Sequence, residues 1–331
     1  MSQFAGEGRL CACRAGEGGT RQASVRGRLA WRFVRLLLPA LLAVPALHAQ
    51  SLDDAIFMDH RVLCAGLVYT RDLWRDYWEG TLRRDNENLG TVTTQQTAVM
   101  GAYGITRRIN LIASVPYVAT RASQGVLDGQ RGRQDLSVGL KVDALSTPLT
   151  RAGILHLIGV AAVATPTSDY TPDFYPLSIG SQSRRVMGRA VLSWQGHRGI
   201  YVNAAAAYTR RGNVTLARPA YYTDGQLFLS NEVRLPDVRD VALTIGYQNR
   251  RVVVPVTIAQ QRTLGGGDIR RQDMPFVSNR MNVTRLDARV QYTVPRLPGL
   301  ILHAGAGRVL DGRNVGQSTT VLAGVLLAGK L

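Results

Sequence analysis

From residue 62 onward the chain is a series of segments, ten to fourteen residues long, in which apolar and polar side chains take turns. In DLSVGLKVDAL (135–145), Leu136, Val138, Leu140 and Val142 take every second place, and Ser137, Gly139, Lys141 and Asp143 fill the gaps. A period of two describes a strand with one apolar and one polar face. IYVNAAAAYT repeats it with Ile200, Val202, Ala204, Ala206 and Tyr208, DVALTIGYQ with Val241, Leu243, Ile245 and Tyr247, and VTRLDARVQY with Leu286, Ala288 and Val290. About twelve such segments can be marked, at 62–74, 91–103, 109–120, 135–145, 153–165, 185–194, 200–210, 225–235, 240–250, 282–294, 299–309 and 318–331. Soluble strands run to roughly five or six residues, whereas about nine to eleven cross a bilayer at a tilt.

A soluble sandwich would turn the apolar faces into a core, and a barrel in lipid would turn them outward. The connections decide between the two. GITRR, STPLTRA, QGHRG, PDVRD and PRLPG are short, and they alternate with long stretches around 75–90, 121–134, 166–184, 211–224 and 251–281. Short turns on one rim and long loops on the other suit an outer-membrane barrel, and a sandwich has no reason to alternate so regularly. The expected fold is therefore all-β: a transmembrane antiparallel up-and-down β-barrel of about twelve strands, with short periplasmic turns and long extracellular loops. Trp74, Tyr103, Tyr117, Trp194, Tyr208, Tyr247 and Tyr292 fall at or near segment ends, where interfacial girdles lie.

The N-terminus reads as an export signal. RGRLAWRFVR is a basic region, LLLPALLAVPAL an apolar run too short to span a bilayer, and Ala49 a small residue for cleavage. Residues 1–49 are thus expected to be an N-terminal extension plus signal peptide, with initiation near Val25, and 50–331 the barrel domain. The formal net charge of +17 is partly explained by this leader, which carries +5. The remaining arginines are scattered, with no basic helix or cluster, so nucleic acid is not an expected partner. Removal of the leader takes Cys11 and Cys13 with it, and Cys64, in VLCAGLVY, reads as an inert buried thiol.

The stretch GITRRINLIASVPYVATRASQGVLDGQRGRQDLSVGLKVDAL resembles the outer-membrane barrel family named for the MetA pathway of phenol degradation. The matching elements are Val115-Pro116-Tyr117, the glycine-rich loop from Gly125 to Gly132, and Asp135-Leu136 with Gly139 and Lys141. ATPTSDYTPDFYPLSIGSQS resembles the family's next extracellular loop, with Ser168 where a glycine is common, and the chain ends in Leu331 rather than an aromatic residue. The resemblance implies transport of aromatic or other hydrophobic compounds across the outer membrane of a Gram-negative bacterium.

Strand parity then selects the side chains that face a lumen: Lys141, Asp143, Arg185, Arg189, Glu232, Arg234, Arg285, Asp287 and Arg289 are the pore-lining candidates. Their balance is basic, and rings of Arg and Lys favour anions. Two functions remain open, a channel for small molecules, whether aromatic, otherwise hydrophobic or anionic, and a non-conducting structural or surface-binding barrel with a filled lumen. The histidines show no ligand spacing and no GxSxG occurs, so no metal, cofactor or catalytic residue is expected and the chain reads as not an enzyme. The expected partners are the lipid bilayer, the outer-membrane assembly machinery and a small-molecule solute.

Overall fold

The computed structural model describes residues 50–150, 153–270, 276–297 and 299–331. The leader, 1–49, lies outside them. Twelve strands form the wall: β1 (Val62–Trp74), β2 (Val92–Gly104), β3 (Ile109–Ala122), β4 (Asp135–Thr150), β5 (Gly153–Pro166), β6 (Arg185–Gly196), β7 (Ile200–Arg211), β8 (Val238–Gln248), β9 (Val252–Thr263), β10 (Asn282–Thr293), β11 (Leu300–Arg313) and β12 (Thr319–Lys330). Each is antiparallel to its sequence neighbours, and β1 pairs with β12 from Val62↔Lys330 to Leu73↔Thr319, which closes the barrel. Closure is what lets strands sit in hydrocarbon, because the ladder then satisfies backbone N–H and C=O groups that lipid cannot.

The apolar faces point outward. Leu67, Val99, Leu140, Leu192, Leu243, Ile245, Val256, Ile258 and Val325 are each 40 to 60% exposed on the outer surface. A belt of that extent is an unstable surface in water and a fitted one in lipid. Tyr117 and Tyr208 flank it toward the long-loop rim, and Tyr103, Trp194, Tyr247 and Tyr292 toward the short-turn rim. Tyr208 is level with Arg239 on the next strand. From there to Tyr247 the wall rises roughly 20 Å along the membrane normal, at ~3.4 Å per residue and a tilt of about 40°. Trp74 departs from this belt and packs instead against Tyr77 in the loop layer, with ring centroids 6.3 Å apart.

Two segments exchange roles relative to the sequence reading. Residues 225–235 are not a wall strand: they hold only the short Gln226–Phe228 and Glu232–Val233 pieces of the loop between β7 and β8. Conversely, Val252–Thr263, read from sequence as loop, is wall strand β9. Pro255 disguised it, since a proline cannot donate to a ladder. The register of β9 with β10 passes from Val253↔Gln291 to Val256↔Ala288, and the ladder carries no partner for Pro255. The strand count survives because one error offsets the other, but β8 runs in the opposite direction to the one expected, and the turn at its lower end is Asn249–Arg251.

The long loops form a packed layer. Val214, Leu216, Val233, Leu235, Phe276 and Val277 make a small core of their own, with Tyr221 stacked on Phe228 and Phe276. Arg313 and Asn314 bind Asp268, and the Arg313 guanidinium holds that carboxyl down at about 2. The β5–β6 loop folds over the mouth: Thr120 on the inner wall donates to Leu177 O at 2.5 Å, and the Tyr170 hydroxyl to Asp135 Oδ1 at 2.8 Å. Burial raises the Tyr170 phenol well above its ordinary value, and the Asp135 carboxylate beside it adds to the shift.

Candidate functional site: the lumen and the segment that enters it

Gln50 to Met58 turns inside the barrel before the chain joins β1. Asp54 makes the turn: its Oδ2 accepts from Ser51 N and Oγ at 2.6 and 2.8 Å, and its Oδ1 from Ile56 N at 2.9 Å. The apolar residues around it spread to both sides. Leu52, Ile56 and Met58 pack on Val62, Cys64, Ala102, Ile112, Ile301, Leu326 and Ala328. Leu52, Ala55 and Phe57 pack on Ile158, Val160 and Val191. The short-turn end of the lumen is therefore filled with hydrocarbon, and Cys64 is buried within it.

Over this floor lies a network of charge. Lys141 faces inward, as parity predicts, but it is not in a watery space: it is 0% exposed beneath the entering segment. Its ammonium donates to Asp54 Oδ1 at 2.7 Å, Ile56 O at 2.9 Å and Ser51 O at 3.0 Å, and sits 5.0 Å from the Phe57 ring centroid. All three donor sites of the ammonium have acceptors, which is the condition for burying a charge. Arg189 pairs with Asp53, so a second wall cation holds the same turn. Asp143 pairs with His156 Nδ1 at 3.0 Å, Arg185 with Asp135 at 2.6 Å, and Arg285 with Asp287 at 2.7 Å.

Of the candidates taken from sequence, Lys141, Asp143, Arg185, Arg189, Arg285, Asp287 and Arg289 stand on the inner wall. Glu232 and Arg234 do not. They lie exposed in the β7–β8 loop, where Glu232 accepts from Asn213 at 2.6 Å, because parity was applied to a segment that is not in the wall. The lumen also contains acids that the reading missed. Asp135 and Asp240 had the right parity in their own strands, whereas Asp53 and Asp54 precede every periodic segment and carry no local signal. These acids offset the cations, so positive charge in the lumen is local rather than general. Among the described residues no three His, Cys, Asp or Glu side chains gather as metal ligands.

Above the floor a cavity of about 430 Å³ remains, lined by residues that include Tyr201, Asn203, Asp240, Thr257, Arg285, Arg289, His303 and Leu322. Barrel, inner floor and cavity together define the site.

The family model described as "Putative MetA-pathway of phenol degradation" matches residues 79–323. The chain belongs to this family. It is an outer-membrane β-barrel. Among solved structures it is similar to the COG4313 outer membrane channel from Pseudomonas putida F1, with 13% identity, a TM-score of 0.65, and coverage of 85% of this chain and 99% of that one. It also matches, at TM-scores of 0.41 and 0.35, the translocator domain of the autotransporter NalP from Neisseria meningitidis and the Pseudomonas putida toluene transporter TodX. Identities there are 11% and 11%, with 92% and 88% of this chain covered and 96% and 93% of those. The first of the three shows the shared fold. No curated protein matches the sequence.

Proposed function

We propose that this chain is an outer-membrane channel for small organic solutes, either aromatic or otherwise hydrophobic or anionic. The observation that carries the reading is a cavity of about 430 Å³ within a closed barrel, bounded below by a segment of chain and not by a strand. A segment held by side chains can move aside while the wall stays intact, whereas a strand cannot leave without breaking closure. The family's phenol-degradation description agrees with an organic solute, and the first structural neighbour is described as an outer membrane channel. The aromatic belts and outward hydrocarbon supply the membrane setting.

A second reading, a filled barrel that conducts nothing, is favoured by the apolar floor and by the threefold hold on Lys141. Swelling of proteoliposomes in isotonic solutions of aromatic acids and of sugars separates the two. A channel admits the acids faster than the sugars. A filled barrel gives the rate of empty liposomes for both.

A further inference from the structure

Among the described residues that line the cavity, one cation has no neighbour that neutralises it. Lys141, Arg185, Arg189 and Arg285 each pair with a carboxylate. Arg289 lines the cavity and, among the described residues, forms no ion pair or hydrogen bond. Its side chain is half-buried on the cavity wall.

The register shows what surrounds it. Arg289 is opposite Gly305 on β11, and Gly305 is opposite Leu322 on β12. A Cβ on Gly305 would stand 2.9 Å from Arg289 Cγ, so the absent side chain makes room for the arginine stem and leaves Leu322 as the next side chain along the wall. On the other flank, the register of β9 and β10 sets Pro255 beside Arg289, and Pro255 is opposite Gly246 on β8. Gly246 is opposite Tyr201, whose phenol ring lies over the space a Cβ would take, 2.4 Å from it. The register line thus reads Tyr201, Gly246, Pro255, Arg289, Gly305, Leu322, and on tilted strands it climbs from Tyr201 near the short-turn end to Leu322 higher in the wall. Arg289 is the unpaired guanidinium on this line, with Pro255 beside it, while the spaces at the two glycines are taken by the Arg289 stem and the Tyr201 ring. The cavity of about 430 Å³ that Arg289 and Pro255 line has room for a body of about one ring beside the guanidinium.

We propose that Arg289 is the recognition site for a small organic monoanion, a carboxylate or phenolate on an apolar body of about one ring. The guanidinium fork takes the two oxygens of a carboxylate, and Pro255 meets the body in a cavity whose wall Tyr201 and Leu322 also form. The proposal rests on the channel reading for its purpose, since it names the solute, but the site can be tested without transport.

The test is isothermal titration of the full mature barrel in non-ionic detergent with benzoate, benzyl alcohol and benzylammonium. Benzoate binds, the neutral alcohol binds more weakly, and the cation binds least. Arg289→Gln weakens benzoate about ten- to a hundredfold, the range for loss of a charged hydrogen-bonded contact, and leaves benzyl alcohol unchanged. Equal binding of benzoate to wild type and to a heat-modifiable, folded Arg289→Gln protein overturns the proposal. So does benzylammonium matching benzoate on the wild type, a comparison that needs no variant to fold. Absence of benzoate binding to the wild type overturns it as well. Charge-selective binding without uptake of benzoate into proteoliposomes leaves the site standing and removes the channel reading instead.

Discussion

Breaking the hold on the entering segment should free that segment without loosening the barrel. The ion pair of Lys141 with Asp54 is asymmetric. Lys141 is fully buried, while the Asp54 side chain is 23% exposed and keeps its bonds to Ser51 and Ile56 N without the lysine. Asp54→Asn therefore leaves a buried ammonium with neutral acceptors and no counter-charge, a loss of about 3–5 kcal/mol for a broken buried pair. Lys141→Met leaves a carboxylate that is still solvated in part and hydrogen-bonded, and costs about 1–2 kcal/mol. Replacing both partners removes the buried charge altogether and should recover most of the loss, since apolar substitution of a whole buried pair is often neutral. At about 1.4 kcal/mol per decade, Asp54→Asn raises the undocked population by at least two orders of magnitude. Hydrogen exchange of the amides in 51–58 measures this, with the amides of β6 to β9 as an internal standard that stays unchanged. If Lys141→Met loosens the segment more than Asp54→Asn, or if the double variant is the loosest of the three, the argument from buried charge is wrong.

Three further outcomes follow from the same structure. Val256→Arg on the outer face of β9 should cost about 2–4 kcal/mol in urea titrations in lipid vesicles, while inward Thr257→Ser costs little; equal costs would contradict the assignment of faces. The Asp268 clamp on Arg313 and Asn314 is a depressed carboxyl, so its stabilisation is full above the ordinary value of 3.8 and is lost as pH falls through about 2. Exchange protection of residues 264–270 should drop between pH 4 and pH 2 in the wild type and be low at both in Asp268→Asn. An epitope inserted at Gly266, in the β9–β10 loop, should be labelled on intact cells, and labelling only after permeabilisation would invert the topology.

The wall was legible because each strand repeats its signal locally. Leu136, Val138, Leu140 and Val142 announce an outer face within eleven residues, and Tyr247 and Tyr292 mark the membrane boundary by residue type alone. The exchange between 225–235 and Val252–Thr263 shows where local reading stops. Pro255 made a wall strand resemble a loop, while the loop pieces at Gln226–Phe228 and Glu232–Val233 are strand-like because each pairs with another short loop strand, Tyr221–Thr223 and Val214–Thr215. Parity placed Arg285, Asp287 and Arg289 inward, and applied to the wrong segment it also nominated Glu232 and Arg234. The entering segment was not legible at all. Lys141 is held by Asp54 across 87 positions of sequence, and nothing in SLDDAIFMDH alternates or repeats. Its place is dictated by the inner floor it fills, and that floor exists only once the barrel has closed.

Single-channel recording in planar bilayers, comparing the mature barrel with one refolded from residue 59 so that Gln50 to Met58 is missing, shows whether the lumen conducts. The wild type should show small, brief current steps, and the shortened barrel larger and sustained ones, because the segment is what narrows a path through the wall. Two silent barrels, each folded by heat-modifiability, would contradict the claim that this lumen conducts.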